Sequence, residues 1–230
     1  MNIAIIPARK GSKRIKNKNI RIINTKPLIY YPIKASLNSK LFDKIIISSD
    51  SKKILEIGSK YGAENLGLRE KVYANDHMGL ADVIKYEIDR LQNNQNIKVK
   101  NVCLIFATSL MLEKNDLVKS FKIFNKSKRK FCMAVTKNNN SIYKSFNINK
   151  SNLKMLFNKN HKKRSQDLIS TYREAGQFCW GKVESWQKKE VIFSSNTLPY
   201  ILPHFKSIDI DEIEDLKMAK IIFKNKNFFK

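Results

Sequence analysis

The chain contains few cysteines and histidines, and each shortage excludes a class of function. Its 230 residues include three of each. The cysteines, Cys103, Cys132 and Cys179, are odd in number and widely separated. We therefore expect buried, reduced thiols, and neither a disulfide framework nor a metal site built on them. The histidines lack metal-ligand spacing, and no Ser/His/Asp or Cys/His arrangement offers a nucleophile for covalent catalysis.

Further absences concern location and nucleotide-binding motifs. No apolar run approaches the length of a membrane span, and no signal peptide precedes the first apolar segment, so we expect a cytoplasmic protein without a membrane partner. The P-loop pattern GxxxxGK[ST] and the dinucleotide fingerprint GxGxxG are both missing. Internal repeats and linkers rich in Gly, Pro or Ser are missing as well, so we predict a single domain over residues 1–230.

The charge of the chain is strongly unbalanced. Its 45 lysines and arginines against 20 acidic residues give a formal net charge of +25, which is typical of nucleic-acid binding. However, the lysines are spread along the chain and often alternate with asparagine, as an AT-rich genome would produce. No aromatic-rich basic patch offers a stacking platform for bases. We therefore favour small anionic substrates over nucleic acid, and keep a basic nucleic-acid-binding protein as an alternative.

Short apolar runs alternate with longer amphipathic segments. The predicted strands cover residues 3–6, 44–48, 101–106, 131–136, 177–182 and 198–202. The predicted helices cover residues 27–38, 51–61, 80–92, 114–125 and 211–223. This alternation predicts an α/β fold with a mostly parallel sheet, whose ligands bind beyond the carboxyl ends of the strands. Residues 137–170 break the alternation, which indicates either a protruding arm or an ordinary surface insertion.

The most informative segment is the loop that follows the first predicted strand. An apolar run at residues 3–6 leads into Pro7 and a loop with one glycine. Seven basic residues lie between positions 9 and 21: Arg9, Lys10, Lys13, Arg14, Lys16, Lys18 and Arg21. A polyphosphate needs cations, backbone amides and a hydroxyl such as that of Ser12 at one point. We therefore predict a nucleotide triphosphate at the end of the first strand.

Two carboxylates and two arginines form the other candidate groups. Asp209 and Asp211 lie two residues apart at the entry to the last helix. In an extended backbone, the two carboxylates would point to the same side. Two carboxylates on one side form an oxygen site that suits Mg²⁺. A helix N-cap with a dipole-stabilising neighbour is the alternative. Arg164 and Arg173 could grip a carboxylate through paired hydrogen bonds, unless they are solvated arginines near a surface arm.

These segments resemble one family. The first loop reads IPARKGSKRIKNKN, which resembles the IPARxGSKxxxxKN signature of the sugar-acid cytidylyltransferases. The similarity continues in KPLIYYPIKASLNSKLFDKIIISSD, LREKVYANDHMG and SIDIDEIEDLKMA. The pair RSQDL and AGQFCWG is similar to the branch that activates pseudaminic acid, a bacterial nine-carbon sugar acid. The resemblance implies a three-layer α/β/α nucleotide-binding fold of the nucleotide-diphospho-sugar transferase type, with residues 137–170 as an inserted dimerisation arm.

The resemblance also implies an activity. Members of the family make a CMP-sugar from CTP and a 2-keto sugar acid and release pyrophosphate. The anomeric hydroxyl would attack the α-phosphate directly, with Mg²⁺ as cofactor. Within the family, the alternatives are N-acetylneuraminic or legionaminic acid as acceptor, or an inactive member. Family members are dimers, so a homodimer is implied as well.

Roles for individual residues follow from matching positions in the family. The implied catalytic residues are Lys18, Arg9 and Asp211. The implied nucleotide site comprises Arg9, Ser12, Lys13, Lys18, Asn19 and Arg69. The implied sugar-acid site comprises Arg164, Arg173, Gln177 and Lys144. The implied metal ligands are Asp209 and Asp211.

Five positions depart from the family pattern. Lys10 stands where a second glycine is usual, which narrows backbone freedom. Ala107 and Leu110 replace the two prolines of a rigid turn beside the sugar site. Met78 and Leu80 replace hydroxyl-bearing residues of a DHTGT-like segment. The last four changes leave the phosphate and metal residues intact, so they bear on which acid is accepted.

Overall fold

Residues 1–75, 77–95 and 97–229 are described by the computed structural model. The strands are β1 (Asn2–Pro7), β2 (Ile22–Ile23), β3 (Lys26–Pro27), β4 (Lys44–Ser48), β5 (Asn101–Ile105), β6 (Phe131–Lys137), β7 (Phe146–Asn149), β8 (Asn152–Met155), β9 (Tyr172–Lys182) and β10 (Thr197–Ile201). The helices are α1 (Tyr30–Ser39), α2 (Lys52–Lys60), α3 (Leu80–Gln95), α4 (Lys114–Lys126), α5 (Val183–Gln187) and α6 (Ile213–Lys224). Within these ranges, no helix is both long and apolar enough to cross a membrane.

A six-stranded sheet forms the centre of the fold, in the order β10-β6-β9-β5-β1-β4. Strand β1 runs parallel to β4 and β5, and β6 runs parallel to β10. Strand β9 is antiparallel to both of its neighbours, β5 and β6. The prediction of a mostly parallel sheet is therefore confirmed. The direction of β9 was not predicted, because a buried apolar run looks the same in either orientation.

Helices cover both faces of this sheet. Successive side chains of a strand point to opposite faces, so neighbouring residues of β1 enter different hydrophobic clusters. Ala4 packs in one cluster with Ile33 of α1. Ile5 packs in the other with Ile84 of α3. The three-layer α/β/α arrangement is therefore confirmed.

Several element boundaries differ from the predicted ones. Helix α1 begins three residues later than predicted, because Lys26–Pro27 forms β3 and pairs with β2. Strand β9 begins five residues earlier, because its first part pairs with the end of β6. Helix α6 begins two residues later, because Glu212 is its N-cap and forms a capping box with Asp215. Helix α5 and the hairpin of β7 and β8 were not predicted.

The three thiols are buried and free, as predicted. Burial raises the pKa of the Cys132 thiol to about 12. It raises the pKa values of the Cys103 and Cys179 thiols well above their ordinary range. Since the thiolate is the reactive form, these cysteines act as small core residues and not as nucleophiles.

Residues 137–170 lie between the end of β6 and the start of β9. They contain the two-stranded hairpin of β7 and β8. Ile148 and Leu153 are paired across this hairpin and are 69% and 64% exposed. An apolar pair left in solvent on a hairpin is a feature that a partner surface would cover. The single-domain division and the role of this segment as an arm stay predictions.

Lys206 stabilises the start of α4 through two carboxylates. Its Nζ atom lies 2.9 Å from Glu113 Oε2 and 2.8 Å from Asp116 Oδ2, and those two residues form the capping box of the helix. Only 12% of the Lys206 side chain is exposed. Lys206→Met would leave the buried Asp116 carboxylate without this cation. We expect the free energy of unfolding, measured by urea denaturation, to fall by about 2 kcal/mol.

A surface ion pair supplies the control. Lys130 Nζ lies 2.8 Å from Glu190 Oε1, and 45% of the Lys130 side chain is exposed. Solvent screens such a pair, so Lys130→Met should leave the urea midpoint unchanged. Equal losses of stability in the two variants would contradict the assignment of Lys206 as a buried counter-charge.

Candidate active site

A cleft of about 650 Å³ opens at the carboxyl ends of β1 and β5. From β1 the chain first adds β4 on one side and later β5 on the other, so the strand order reverses at this point. Parallel sheets bind ligands at such a reversal. The cleft is lined by every residue of the implied nucleotide and metal sites: Arg9, Ser12, Lys13, Lys18, Asn19, Arg69, Asp209 and Asp211.

The loop after β1 is fixed to the fold at several points. The Lys10 amide donates to Asp50 Oδ1 at 2.8 Å, and Asn19 Nδ2 donates to the Arg9 carbonyl at 2.9 Å. Between them, the Ile15 side chain is buried in a cluster that includes Ile210. The loop is thereby held open towards the cleft without a P-loop glycine pattern. Asn19, predicted to contact the nucleotide, also fixes the loop.

Lys18 joins this loop to the segment before α6. Its ammonium donates to the Ile210 carbonyl at 2.6 Å and lies 3.1 Å from Asp211 Oδ1. Arg14 Nη2 lies 3.0 Å from the same carboxylate oxygen. Although loss of hydration opposes it, these two cations hold the pKa of Asp211 below its usual value. Arg14 was not predicted as a site residue, because its partner lies almost two hundred positions away.

Asp209 is in a different electrostatic environment. Loss of hydration, and then the negative charge of Asp211, raise the pKa of Asp209. Gly176 in β9 has φ +60°, and a Cβ built on it would lie 3.5 Å from Asp209 Cγ. A glycine therefore allows the left-handed backbone beside this carboxylate.

Arg173 supports the turn that leads to Asp209. Its Nη2 atom donates to the Ser207 carbonyl at 3.2 Å, and its Nη1 atom donates to the Glu174 carbonyl at 3.1 Å. Its charge also lowers the pKa of Asp209, against the larger effect of desolvation. Arg173 therefore lies next to the carboxylate pair but does not line the cleft.

The carboxylates of Asp209 and Asp211 fit a divalent cation whose other ligands come partly from a substrate. Asp209 and Asp211 repel each other in one cleft, and a cation between them would remove that repulsion. Among the described residues there is no cluster of three or more acidic, His or Cys ligands. Mg²⁺ commonly takes one or two carboxylates and completes its coordination with water and phosphate oxygens. The donor set therefore fits Mg²⁺ bound together with a phosphate-bearing ligand.

The wall next to the basic loop is apolar. It is formed by Tyr73, Met78, Leu80, Val83 and Phe106. Of the five departures from the family pattern, Met78, Leu80 and Ala107 line the cleft. Leu110 instead is buried behind the basic loop, in the cluster that contains Ile15.

The residues implied to bind the sugar acid do not line the cleft of the chain to which they belong. Arg164 is exposed and pairs with Asp167 through two hydrogen bonds, and Lys144 Nζ donates to the His161 carbonyl at 2.9 Å. Gln177 is buried in β9, and its Oε1 atom has no hydrogen-bond partner among the described residues. Their roles stay predictions.

A mostly parallel sheet, a basic loop after its first strand and a carboxylate pair in the same cleft define an α/β nucleotide-binding protein. Solved structures share this fold. A CMP:2-keto-3-deoxy-manno-octonic acid synthetase complexed with CTP superposes with a TM-score of 0.69 at 12% identity, over 98% of this chain and 99% of that one. A 4-diphosphocytidyl-2C-methyl-D-erythritol synthase gives a TM-score of 0.68 at 8% identity, over 96% and 97%.

Sequence comparison gives the family. The cytidylyltransferase family model matches residues 3–228, and the chain belongs to this family. The pseudaminic acid cytidylyltransferase of Campylobacter jejuni is 39% identical over 224 residues, which cover 97% of this chain and 96% of that protein. The N-acylneuraminate cytidylyltransferase of Escherichia coli is 28% identical over 98% of this chain and 52% of that protein. The family predicted from the motifs is confirmed.

Proposed function

We propose that this protein transfers the cytidylyl group of CTP to a nine-carbon 2-keto sugar acid, pseudaminic acid, and releases pyrophosphate in the cytoplasm. The observation that carries the proposal is the meeting of the basic loop and the carboxylate pair in one cleft at the strand reversal. The full-length similarity to a pseudaminic acid cytidylyltransferase supports the choice of reaction and acceptor.

The triphosphate of CTP would lie along the loop after β1. The groups that would contact it are Arg9, Ser12, Lys13 and Lys18. Charged donors bind phosphate oxygens about twice as strongly as neutral ones, and they would offset the charge of the nucleotide. Asn19 and the loop amides would contact the cytosine and the ribose, and Arg69 would contact the nucleotide from the facing wall.

The reaction needs positioning and charge neutralisation more than a protein nucleophile. The anomeric hydroxyl of the sugar acid would attack the α-phosphorus of CTP. The bond from that phosphorus to the bridging oxygen would break, pyrophosphate would leave, and the hydroxyl proton would pass to water. Arg9 and Lys18 would offset the charge that grows on the leaving group.

Asp209 and Asp211 would hold Mg²⁺ as the cofactor. When bound, Mg²⁺ supplies positive charge to the phosphate oxygens of the nucleotide. Lys18 and Arg14 both form ion pairs with Asp211. Lys18 also lines the cleft in which the triphosphate would lie, so it would join the metal and nucleotide halves of the site.

The sugar acid would bind in a homodimer. Arg164 and Lys144 belong to residues 137–170 and lie away from the cleft of their own chain, which supports their reaching the cleft of a second subunit. The exposed pair of Ile148 and Leu153 in the same segment gives that subunit an apolar surface to cover. Arg164, Lys144, Arg173 and Gln177 would then face the acceptor.

A matrix of nucleotides and acceptors tests the proposal. Pyrophosphate release would be followed with CTP, UTP or ATP, each with Mg²⁺ and with pseudaminic, legionaminic or N-acetylneuraminic acid. We expect release with CTP and pseudaminic acid, and loss of release when EDTA removes the metal. Turnover only with another acid would correct the acceptor, whereas no release in any combination would overturn the proposed function.

A further inference from the structure

Arg69 reaches the cleft from a buried position. Only 5% of the residue is exposed, and its amide donates to the Ser49 carbonyl at 2.8 Å. Its Nε atom is buried and has no hydrogen-bond partner among the described residues. Burial is also the main cause that lowers the pKa of this guanidinium, and Arg9 acts in the same direction. A cation held in this way needs a counter-charge to keep its position.

Glu87 supplies a buried carboxylate whose charge acts on Arg69. It lies on α3, among apolar residues such as Ile84 and Ile88 that pack against the sheet, and is 1% exposed. Its Oε1 atom accepts a hydrogen bond from Ser48 Oγ at 2.6 Å, and its Oε2 atom accepts one from Arg90 Nη1 at 3.2 Å. Burying a carboxylate on the side of α3 that packs against the sheet costs free energy, whereas burying an apolar residue there would not. Packing alone therefore does not explain a glutamate at position 87.

The partners of Glu87 connect it to the wall of the cleft. Ser48 is the last residue of β4 and is followed by Ser49, whose carbonyl accepts the Arg69 amide. Arg90 donates to the Leu66 carbonyl, at the start of the loop that carries Arg69. Glu87 is therefore anchored to both segments that determine where Arg69 lies.

The charges of Glu87 and Arg69 also interact. Although desolvation raises the pKa of Glu87, the guanidinium groups of Arg90 and Arg69 lower it. In return, desolvation lowers the pKa of Arg69, and the negative charges of Asp50 and Glu87 partly offset this by raising it. Asp50 is already engaged by the Lys10 amide. Glu87 is thus a buried negative charge that acts on Arg69 and is itself held by Ser48 and Arg90.

We propose that Glu87 is a positioning residue for nucleotide binding: its buried carboxylate, anchored by Ser48 and Arg90, holds the Arg69 guanidinium at the wall of the cleft. This inference rests on the proposed function, because it takes CTP as the ligand that Arg69 contacts. Glu87 itself does not line the cleft. Its effect should therefore appear in CTP affinity and not in the chemical step.

Glu87→Gln removes the charge and keeps the size and hydrogen-bonding capacity of the side chain. We expect the Kd for CTP, measured by calorimetry, to rise about tenfold, while kcat at saturating CTP stays within about twofold of wild type. Asp89→Asn is the matched control, since Asp89 lies two residues along α3 and pairs with Lys85 at the surface. It should leave the Kd unchanged.

A double-mutant cycle separates positioning from general destabilisation. If Glu87 acts through Arg69, Glu87→Gln combined with Arg69→Gln should bind CTP no more weakly than Arg69→Gln alone. Should Glu87→Gln fail to fold, Ser48→Ala keeps the charge but removes one of its two anchors, and should raise the Kd for CTP roughly two- to threefold. Wild-type affinity in Glu87→Gln, or additive losses in the double variant, would overturn the inference. Failure of the wild-type chain to bind CTP would instead overturn the proposed function.

Discussion

Asp211→Asn is expected to lower kcat for pyrophosphate release about 1,000-fold. The substitution removes one of two carboxylates that would hold Mg²⁺, and a metal ion contributes several kcal/mol to charge stabilisation in such transfers. The fold should survive, because Asp211 is partly exposed and lies in an irregular segment before α6. The asparagine can still accept a hydrogen bond from Lys18. Steady-state kinetics at saturating CTP, with circular dichroism as the check on folding, measure the effect.

Glu214→Gln provides the matched control for this variant. It removes one negative charge three positions further along, in the first turn of α6, from a residue that does not line the cleft. The net charge of the protein changes equally in both variants. Turnover should be unchanged in Glu214→Gln. Near-normal turnover in Asp211→Asn, or equal losses in the two variants, would contradict the metal assignment.

Lys18→Ala is expected to weaken CTP binding about 100-fold. Only 18% of the Lys18 side chain is exposed, so water screens the charge of its ammonium group little. It lies at the junction of the basic loop and the carboxylate pair, where a phosphate would meet the metal. A charged hydrogen bond of this kind contributes roughly 1.5–3 kcal/mol. Calorimetric titration with CTP and Mg²⁺ measures the change.

Lys16→Ala distinguishes a specific contact from the general positive charge of the chain. Lys16 belongs to the same loop, but it is exposed and does not line the cleft. Removing it lowers the net charge by the same amount and should leave the Kd for CTP within about twofold of wild type. Equal weakening in the two variants would show that CTP responds only to overall charge, against the phosphate-binding role of Lys18.

The fold was predictable where the signal was local. Apolar runs such as the one in β1 alternate with amphipathic segments, and this pattern predicted the α/β class and most of the sheet. The direction of β9 depends on the path of the chain through residues 137–170, which no local pattern encodes. The start of α1 was displaced by β3, a two-residue strand too short to leave a signal.

The candidate site was predictable in its types of residue but not in its pairings. The basic loop and the carboxylates of Asp209 and Asp211 were identified because each is a compact motif. The contact of Arg14 with Asp211 joins the two ends of the chain and could not be found from spacing. The buried position of Glu87 was equally hidden, because a glutamate on an amphipathic helix normally faces solvent.

Phosphorus NMR of one reaction tests the central claim most directly. Wild-type protein would be mixed with CTP, Mg²⁺ and pseudaminic acid, and the spectrum followed to completion. Attack on the α-phosphorus predicts that the three CTP resonances give way to one phosphodiester resonance and one of pyrophosphate, in equal molar amounts. Formation of CDP with inorganic phosphate, or an unchanged CTP spectrum, would contradict cytidylyl transfer by this protein.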